Sequence, residues 1–413
     1  MLKAISRYGA RIIPNTEETV DALRSRGALI QGPELAQFEQ AFAARVGAQH
    51  AIPASFGRVA FYYLLKAYEL PAGSEIIFPS LTFWVMPELA RVAGLKVVFA
   101  DIDPKTFTLD PESFARAITP NTRAVVPTHL YGLPCDMEPI LQTARQHNLV
   151  VIEDCAHALG AAWRGQPVGT IGDAGIFSFQ LLKPLNTYGG GIAVTNNASI
   201  AEKVRALAGA ERWPTEDEVM KRLWLGRVQR IAIKPEVFTW SLFPMLWAGS
   251  YLKANPDVYL WEKIRPLDPM PASYRTRYTN VQAAIGLEGL AQLEEWTCRT
   301  VAHANAMTAA LAWANVETPI VPPDRTHVFY QYALYAENRD EVVKQCIRRG
   351  IDVETLHVDV CTRLELFGGG HRPMPGAERA AAAIQVPVHA GLPDEDIARI
   401  ARTLRESTLA AAS

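Results

Sequence analysis

Cysteine is scarce in this chain: five in 413 residues, at positions 135, 155, 298, 346 and 361, with no CxxC pair. An odd, scattered set builds neither a disulfide framework nor a thiolate zinc site, and it fits a reducing compartment. A surplus of one charge is missing too. Lysine and arginine number 41 against 43 acids, a net charge of −2, so nothing in the composition invites nucleic acid. No apolar run reaches the roughly 20 residues that span a bilayer. The opening MLKAISRYGARIIPN lacks the apolar core of a secretion signal, which leads us to expect a cytoplasmic protein. Internal repeats and low-complexity tracts are absent apart from short alanine runs. What remains is ordinary globular chemistry, with 49% hydrophobic and 20% charged residues. The length allows a large core domain plus a smaller one.

The most informative stretch is 150–196, VVIEDCAHALGAAWRGQPVGTIGDAGIFSFQLLKPLNTYGGGIAVTN. An apolar run, Leu149 to Ile152, ends in Glu153-Asp154, and a second strand, Ala174 to Phe179, follows a Gly-rich connection. Lys183 then sits in a loop that reaches Gly189-Gly190-Gly191 and a third strand, Ile192 to Thr195. Each piece alone has a plain reading, a turn for the acidic pair and a solvated side chain for the lysine. Their order and spacing suit an aldehyde cofactor with a basic ring nitrogen, pyridoxal phosphate. The amine would anchor the aldehyde, and the Asp154 carboxylate would keep the ring nitrogen protonated so that the ring accepts electrons.

Along the rest of the chain, apolar strands alternate with helical patterns. Thr16 to Ser25 reads as a short helix, and Leu35, Phe38, Phe42 and Val46 recur at helical spacing after the turn Gln31-Gly32-Pro33. Strands are expected at Glu75 to Phe78, Leu95 to Ala100 and Ala124 to Pro127, with helices between them. That alternation implies parallel crossover units and a sheet covered on both faces, with ligands at the carboxyl ends of its strands. The Ala54-Ser55-Phe56-Gly57-Arg58 turn enters a helix whose N-terminus is a ready phosphate site, though a plain loop reads equally well.

The segment resembles the DegT/DnrJ/EryC1/StrS family of sugar aminotransferases. The resemblance rests on IEDCAHALGA (Ile152 to Ala161), VGTIGDAGIFSF (Val168 to Phe179), Lys183 and GGGIAVTN (Gly189 to Asn196), and it extends from about residue 30 to about 400. It implies an α/β fold of the type I pyridoxal-phosphate transferases, with a mostly parallel central sheet covered by helices and a smaller C-terminal α/β domain. It also implies roles position by position. Lys183 is the anchoring amine and proton shuttle, and Asp154 the partner of the ring nitrogen, with Glu153 beside it a structural acid. Phe83 stacks on the ring, while Trp84 belongs either to the core or to the substrate pocket. His157 lies near the ring hydroxyl, unless it is simply packed. Gly57, Arg58 and Ser178 meet the cofactor phosphate, and Gly32 and His357 approach the substrate.

Three positions depart from the family pattern. Arg58 stands where a threonine is usual, Gly190 where an acid is frequent, and Arg275 where an asparagine reaches the phosphate of the neighbouring subunit. Either both arginines face the cofactor phosphate or one meets an anionic substrate. The Arg275 position implies a homodimer with shared active sites.

Residues 213–262 are unusual. They hold Trp213, Trp224, Trp240, Trp247 and Trp261, and the stretch 220–234 carries Lys221, Arg222, Arg227, Arg230 and Lys234 with no acid. Met220, Trp224, Val228 and Ile231 share one helical face, and Val237 to Leu252 is free of charge but broken by Pro244. This suits either a subunit-packing arm or contact of residues 220–260 with a membrane surface, which would make the protein peripheral.

The expected organisation is an N-terminal arm (1–30), a large cofactor domain (31–270) containing that insertion, and a linking helix with a small domain (271–413). The expected activity is transfer of an amino group from glutamate or glutamine to the ketone of a sugar nucleotide. The rivals are a lipid-linked or amphiphilic keto substrate, a dehydratase of keto sugars, and a catalytically silent protein on the same fold. Family dehydratases carry histidine in place of the lysine, so Lys183 weighs against that chemistry.

Overall fold

Seven short apolar segments form the main sheet of the computed structural model: β1 His50–Ala54, β2 Glu75–Pro79, β3 Lys96–Ala100, β4 Thr122–Val125, β5 Val150–Asp154, β6 Ala174–Ser178 and β7 Gly191–Thr195. The structure describes residues 3–7, 9, 13–252, 263–355, 358–369 and 372–412. Strand order across the sheet is β1-β7-β6-β5-β4-β2-β3. The five strands from β6 to β3 are parallel, while β7 runs antiparallel to both neighbours, pairing Gly191 with Ser178 and Thr195 with Ala174. The strands are buried nearly end to end, which is what a sheet covered on both faces requires. The helix Gly57–Ala67 shows how the cover is made. Val59, Ala60, Phe61, Leu64 and Leu65 all bury against the sheet and its neighbours. An α/β fold with a mostly parallel sheet is the result.

The helix Asn280–Ala310 is the longest, opened by a capping box between Thr279 and Gln282. It leads to the smaller C-terminal unit, where strands Val316–Glu317, Tyr332–Ala336 and Ile384–Val386 pair antiparallel and pack on helices Arg339–Arg348 and Asp394–Ala412. The start of the chain belongs to this unit. Ile5 bridges Ile351 and joins the core of Tyr332, Leu334, Val342 and Leu404, and the buried Arg7 Nε donates to Asp352 at 2.7 Å. A burying charge pair of this kind holds only because both partners are present.

The 213–252 region is ordered differently from its helical-wheel reading. Thr215 and Glu218 form a capping box for the helix Glu216–Ala232. Its buried stripe is Val219, Leu223 and Gly226, which pack beside Tyr188, whereas Trp224, Leu225, Val228 and Ile231 are exposed. The helix carries two adjacent apolar stripes, and periodicity alone does not say which one docks. Helices Pro235–Phe238 and Phe243–Leu252 follow, with Phe238, Phe243 and Leu246 buried against Ala4 and Ile347. Trp261 lies outside the described residues. Among those described, no helix is long and apolar enough to cross a membrane.

Candidate active site

The parallel strands β2, β4, β5 and β6 end on the same edge of the sheet, and a cavity of about 400 Å³ opens there. Just past β2 come Thr82, Phe83 and Met86. Thr128 follows β4, Asp154 closes β5 ahead of Ala156 and His157, and Ser178 closes β6 ahead of Gln180 to Lys183. All of these line the cavity, together with Phe56, Gly57 and Arg58 at the start of the helix Gly57–Ala67.

Asp154 is 5% exposed, and its Oδ1 accepts the Ala156 N–H at 3.0 Å. Burial pushes its carboxyl up, while the Ala156 amide and the nearby Lys183 charge pull it down. Burial in turn pushes the Lys183 amine down to about 8, opposed by Asp154. The lysine is held by a tight loop, in which its own N–H donates to Gln180 and the amides of Thr187 and Gly189 donate back to the Phe179 carbonyl. Its Nζ stands 3.4 Å from the Tyr330 hydroxyl.

Tyr330 comes from the far side of the cavity and stacks on the His157 ring at 4.1 Å and 23°. Phe83 lines the cavity wall. Arg58 is caged by rings, its guanidinium 4.7 Å from Phe56 and 4.5 Å from Tyr274. The approach of chain to chain at the helix start is close. A Cβ on Gly57 would lie 2.9 Å from the Phe177 carbonyl oxygen, and one on Gly191 only 2.1 Å from the Gly57 nitrogen. Glycine is therefore required at both places for the helix start to pack against β6 and β7, and Gly57 lies in the cavity wall.

Glu153 points away from the cavity, as a structural acid should. Its oxygens accept N–H groups from Gly169, Ile171 and Gly172 at 2.8–2.9 Å, and the His129 Nε2 lies 2.9 Å from it. His129, Glu153 and Cys155 lie close enough to hold a metal, but this carboxylate is already saturated. Cys135 N–H donates to His129 Nδ1, which leaves Nε2 to donate to Glu153.

The structure gathers Lys183, Asp154, His157, Ser178, Phe83, Gly57 and Arg58 around one cavity. Three other expected residues stand apart from it. Trp84 is 1% exposed and packs in the large-domain core, so it is not a substrate contact. Its position next to Phe83 placed it on the opposite side of the chain, where the core takes it. Gly32 lines a second cavity with Trp213 and Arg277, and Arg275 lies on the surface, ion-paired with Glu211 at 3.4 Å. His357 falls outside the described residues. Sequence reasoning missed Tyr330, Thr128, Gln180 and Gln229. None carries a local signal, because Tyr330 and Gln229 come from distant segments and the others are common polar residues in loops.

The model of the DegT/DnrJ/EryC1/StrS aminotransferase family matches residues 11–232 and 250–405. The chain is 31% identical over 398 residues to GDP-perosamine synthase of Caulobacter vibrioides, covering 90% of each protein. It is 30% identical over 366 residues to UDP-N-acetyl-3-dehydro-alpha-D-glucosamine 3-aminotransferase of Acidithiobacillus ferrooxidans, covering 87% of this chain and 85% of that one. In structure it matches the aminotransferase TlmJ of Streptoalloteichus hindustanus with a TM-score of 0.80 over 99% of this chain and 100% of the other, at 24% identity. The chain belongs to the DegT/DnrJ/EryC1/StrS aminotransferase family.

Proposed function

We propose that this family member uses pyridoxal phosphate to move an amino group from glutamate or glutamine to the ketone of a nucleotide-linked keto sugar. One observation carries the reading: a buried carboxylate, Asp154, and the amine of Lys183 face the same cavity. The nucleotide-linked class is supported by the two relatives, each named for a GDP or UDP sugar.

The residues fit the cofactor. A buried acid suits a protonated ring nitrogen, the N-terminus of the helix Gly57–Ala67 in the cavity wall suits a phosphate, and Arg58 and Ser178 line the same cavity. Bound there, pyridoxal phosphate supplies an aldehyde that carries the amino group and a ring that takes up electrons. The chain does the rest. Asp154 would hold the proton on the ring nitrogen, Phe83 would supply an apolar wall for the ring, and His157, braced by Tyr330, would serve the ring hydroxyl. Lys183 would hold the cofactor and serve as the proton carrier, a task suited to an amine whose pKa burial has lowered to about 8. In a two-fold dimer, Arg275 and the Gly32 turn complete the neighbour's site.

Purified protein should absorb at the edge of the visible, and a single turnover with glutamate or glutamine should remove that band. Steady-state kinetics should be ping-pong. A Lys183→Ala variant that still transferred amino groups would reject the reading. A protein that holds the cofactor but reacts with no amino acid would be the silent binder instead.

A further inference from the structure

We propose that the outer face of residues 216–252 binds an anionic lipid surface and holds the cavity mouth against it. The family match breaks at 233–249, so that part of the segment, with Trp240, Met245 and Trp247, is additional to the common body. It is also firmly placed. Phe238, Phe243 and Leu246 bury against Ala4 and Ile347, and the Arg348 Nη2 reaches the Ser250 carbonyl at 3.4 Å. What this anchoring leaves outside is strongly apolar: Trp240 is 69% exposed, and Trp224, Met245 and Trp247 of the same segment are exposed as well. Single exposed apolar residues mean little, but three exposed tryptophans and a methionine within one short segment, with Trp247 packed on the exposed Tyr251 ring at 4.9 Å, mark a contact surface.

Acids open the helix at Glu216, Asp217 and Glu218, and the stretch after them is basic. Lys221, Arg227 and Lys234 are exposed and no acid occurs between Val219 and Lys234. Glu216 pairs with Arg24, Glu218 with Arg212 and Glu236 with Lys3, while Arg227 is engaged by Glu17, so Lys221 and Lys234 are the cations that carry the attraction. A basic, tryptophan-rich face matches anionic headgroups with apolar chains beneath them. A second copy fits less well. A two-fold contact sets the same patch against itself, which would bring these cations together. Spanning is excluded by length, since the two main helices here, Glu216–Ala232 and Phe243–Leu252, have 17 and 10 residues.

The face adjoins the cavity through Gln229, which lines it from the same helix that exposes Trp224 and Val228. Lipid binding at this face does not depend on the aminotransferase reading; only the value of holding the cavity there does.

The full-length protein is mixed with phosphatidylglycerol–phosphatidylcholine vesicles, or with phosphatidylcholine alone, and sedimented at low and high salt. Wild type should sediment with the anionic vesicles only, and salt should weaken the binding. Trp240→Ser with Trp247→Ser, and separately Lys221→Glu with Lys234→Glu, should each lower vesicle partition by about tenfold or more. Both variants should keep the wild-type half-reaction with a soluble amino donor. The proposal is overturned if wild type stays in the supernatant at low salt, or if both double variants bind as it does. It is also overturned if the variants reduce the oligomeric mass, because the face would then belong to a second copy. Absence of any half-reaction, with vesicle binding intact, would count against the aminotransferase reading alone.

Discussion

The Lys183 amine lies 3.4 Å from the Tyr330 hydroxyl, though 147 residues separate them in the chain. Lys183 leaves the main sheet just after β6, while Tyr330 precedes the small-domain strand Tyr332–Ala336. The pair therefore ties the position of the reactive amine to the docking of the two units. Tyr330→Phe keeps the ring that stacks on His157 and removes only the hydroxyl. Its kcat should fall by roughly fivefold, the value of one hydrogen bond near 1 kcal/mol. Pre-steady-state half-reaction kinetics would check this, and Tyr330→Ala should lose more because the stack goes too.

Asp154→Asn preserves shape and burial but cannot hold a proton on the ring nitrogen as an ion pair. The half-reaction rate should drop by about 100-fold or more, the scale for removing one preorganised charge. The far-ultraviolet circular dichroism should be unchanged. Retained wild-type rate in this variant would show that the carboxylate does not face the ring.

The depressed pKa of Lys183 has a consequence for the cofactor-free protein. The folded value, about 8, lies below the ordinary lysine value of 10.5, so the unfolded chain binds more protons between them. Stability therefore rises with pH across this window, and the cost of burying the amine is fully present below about 8. Denaturant unfolding of the apo protein, compared with Lys183→Met, should show the variant more stable at pH 7, with the gap closing as pH climbs through 8 toward 10.5.

Gly190 occupies a position with φ of +108°, and a Cβ there would sit 2.3 Å from the Tyr278 ring, whose hydroxyl donates to Thr187 at 2.9 Å. This gives the missing acid at that position a physical reason. Gly190→Ala should destabilise by about 1–3 kcal/mol, from backbone strain and the clash together. Urea titration would measure it, and an effect near zero would mean that Tyr278 moves freely.

Much of the sheet side of this molecule is readable from sequence. The strand ends that carry Asp154 and Ser178, and the loop with Lys183, lie in one stretch whose apolar runs are bounded by glycine. The helix Thr16–Ser25 appears where its pattern puts it. Other features are set by contacts that no local pattern encodes. That β7 runs antiparallel depends on a short return loop rather than a helical crossover. Trp84 and Phe83 are adjacent, and only the packing decides which ring meets the cavity. Ile5 and Arg7 look like the start of a free arm but are fixed by Ile351 and Asp352, some 345 residues away. Tyr330 is invisible for the same reason.

The most direct test is borohydride reduction of the purified protein, followed by peptide mass spectrometry. The expected result is loss of the visible-edge band and a single pyridoxyl adduct on Lys183. No adduct at all, or one on a different lysine, would contradict the account.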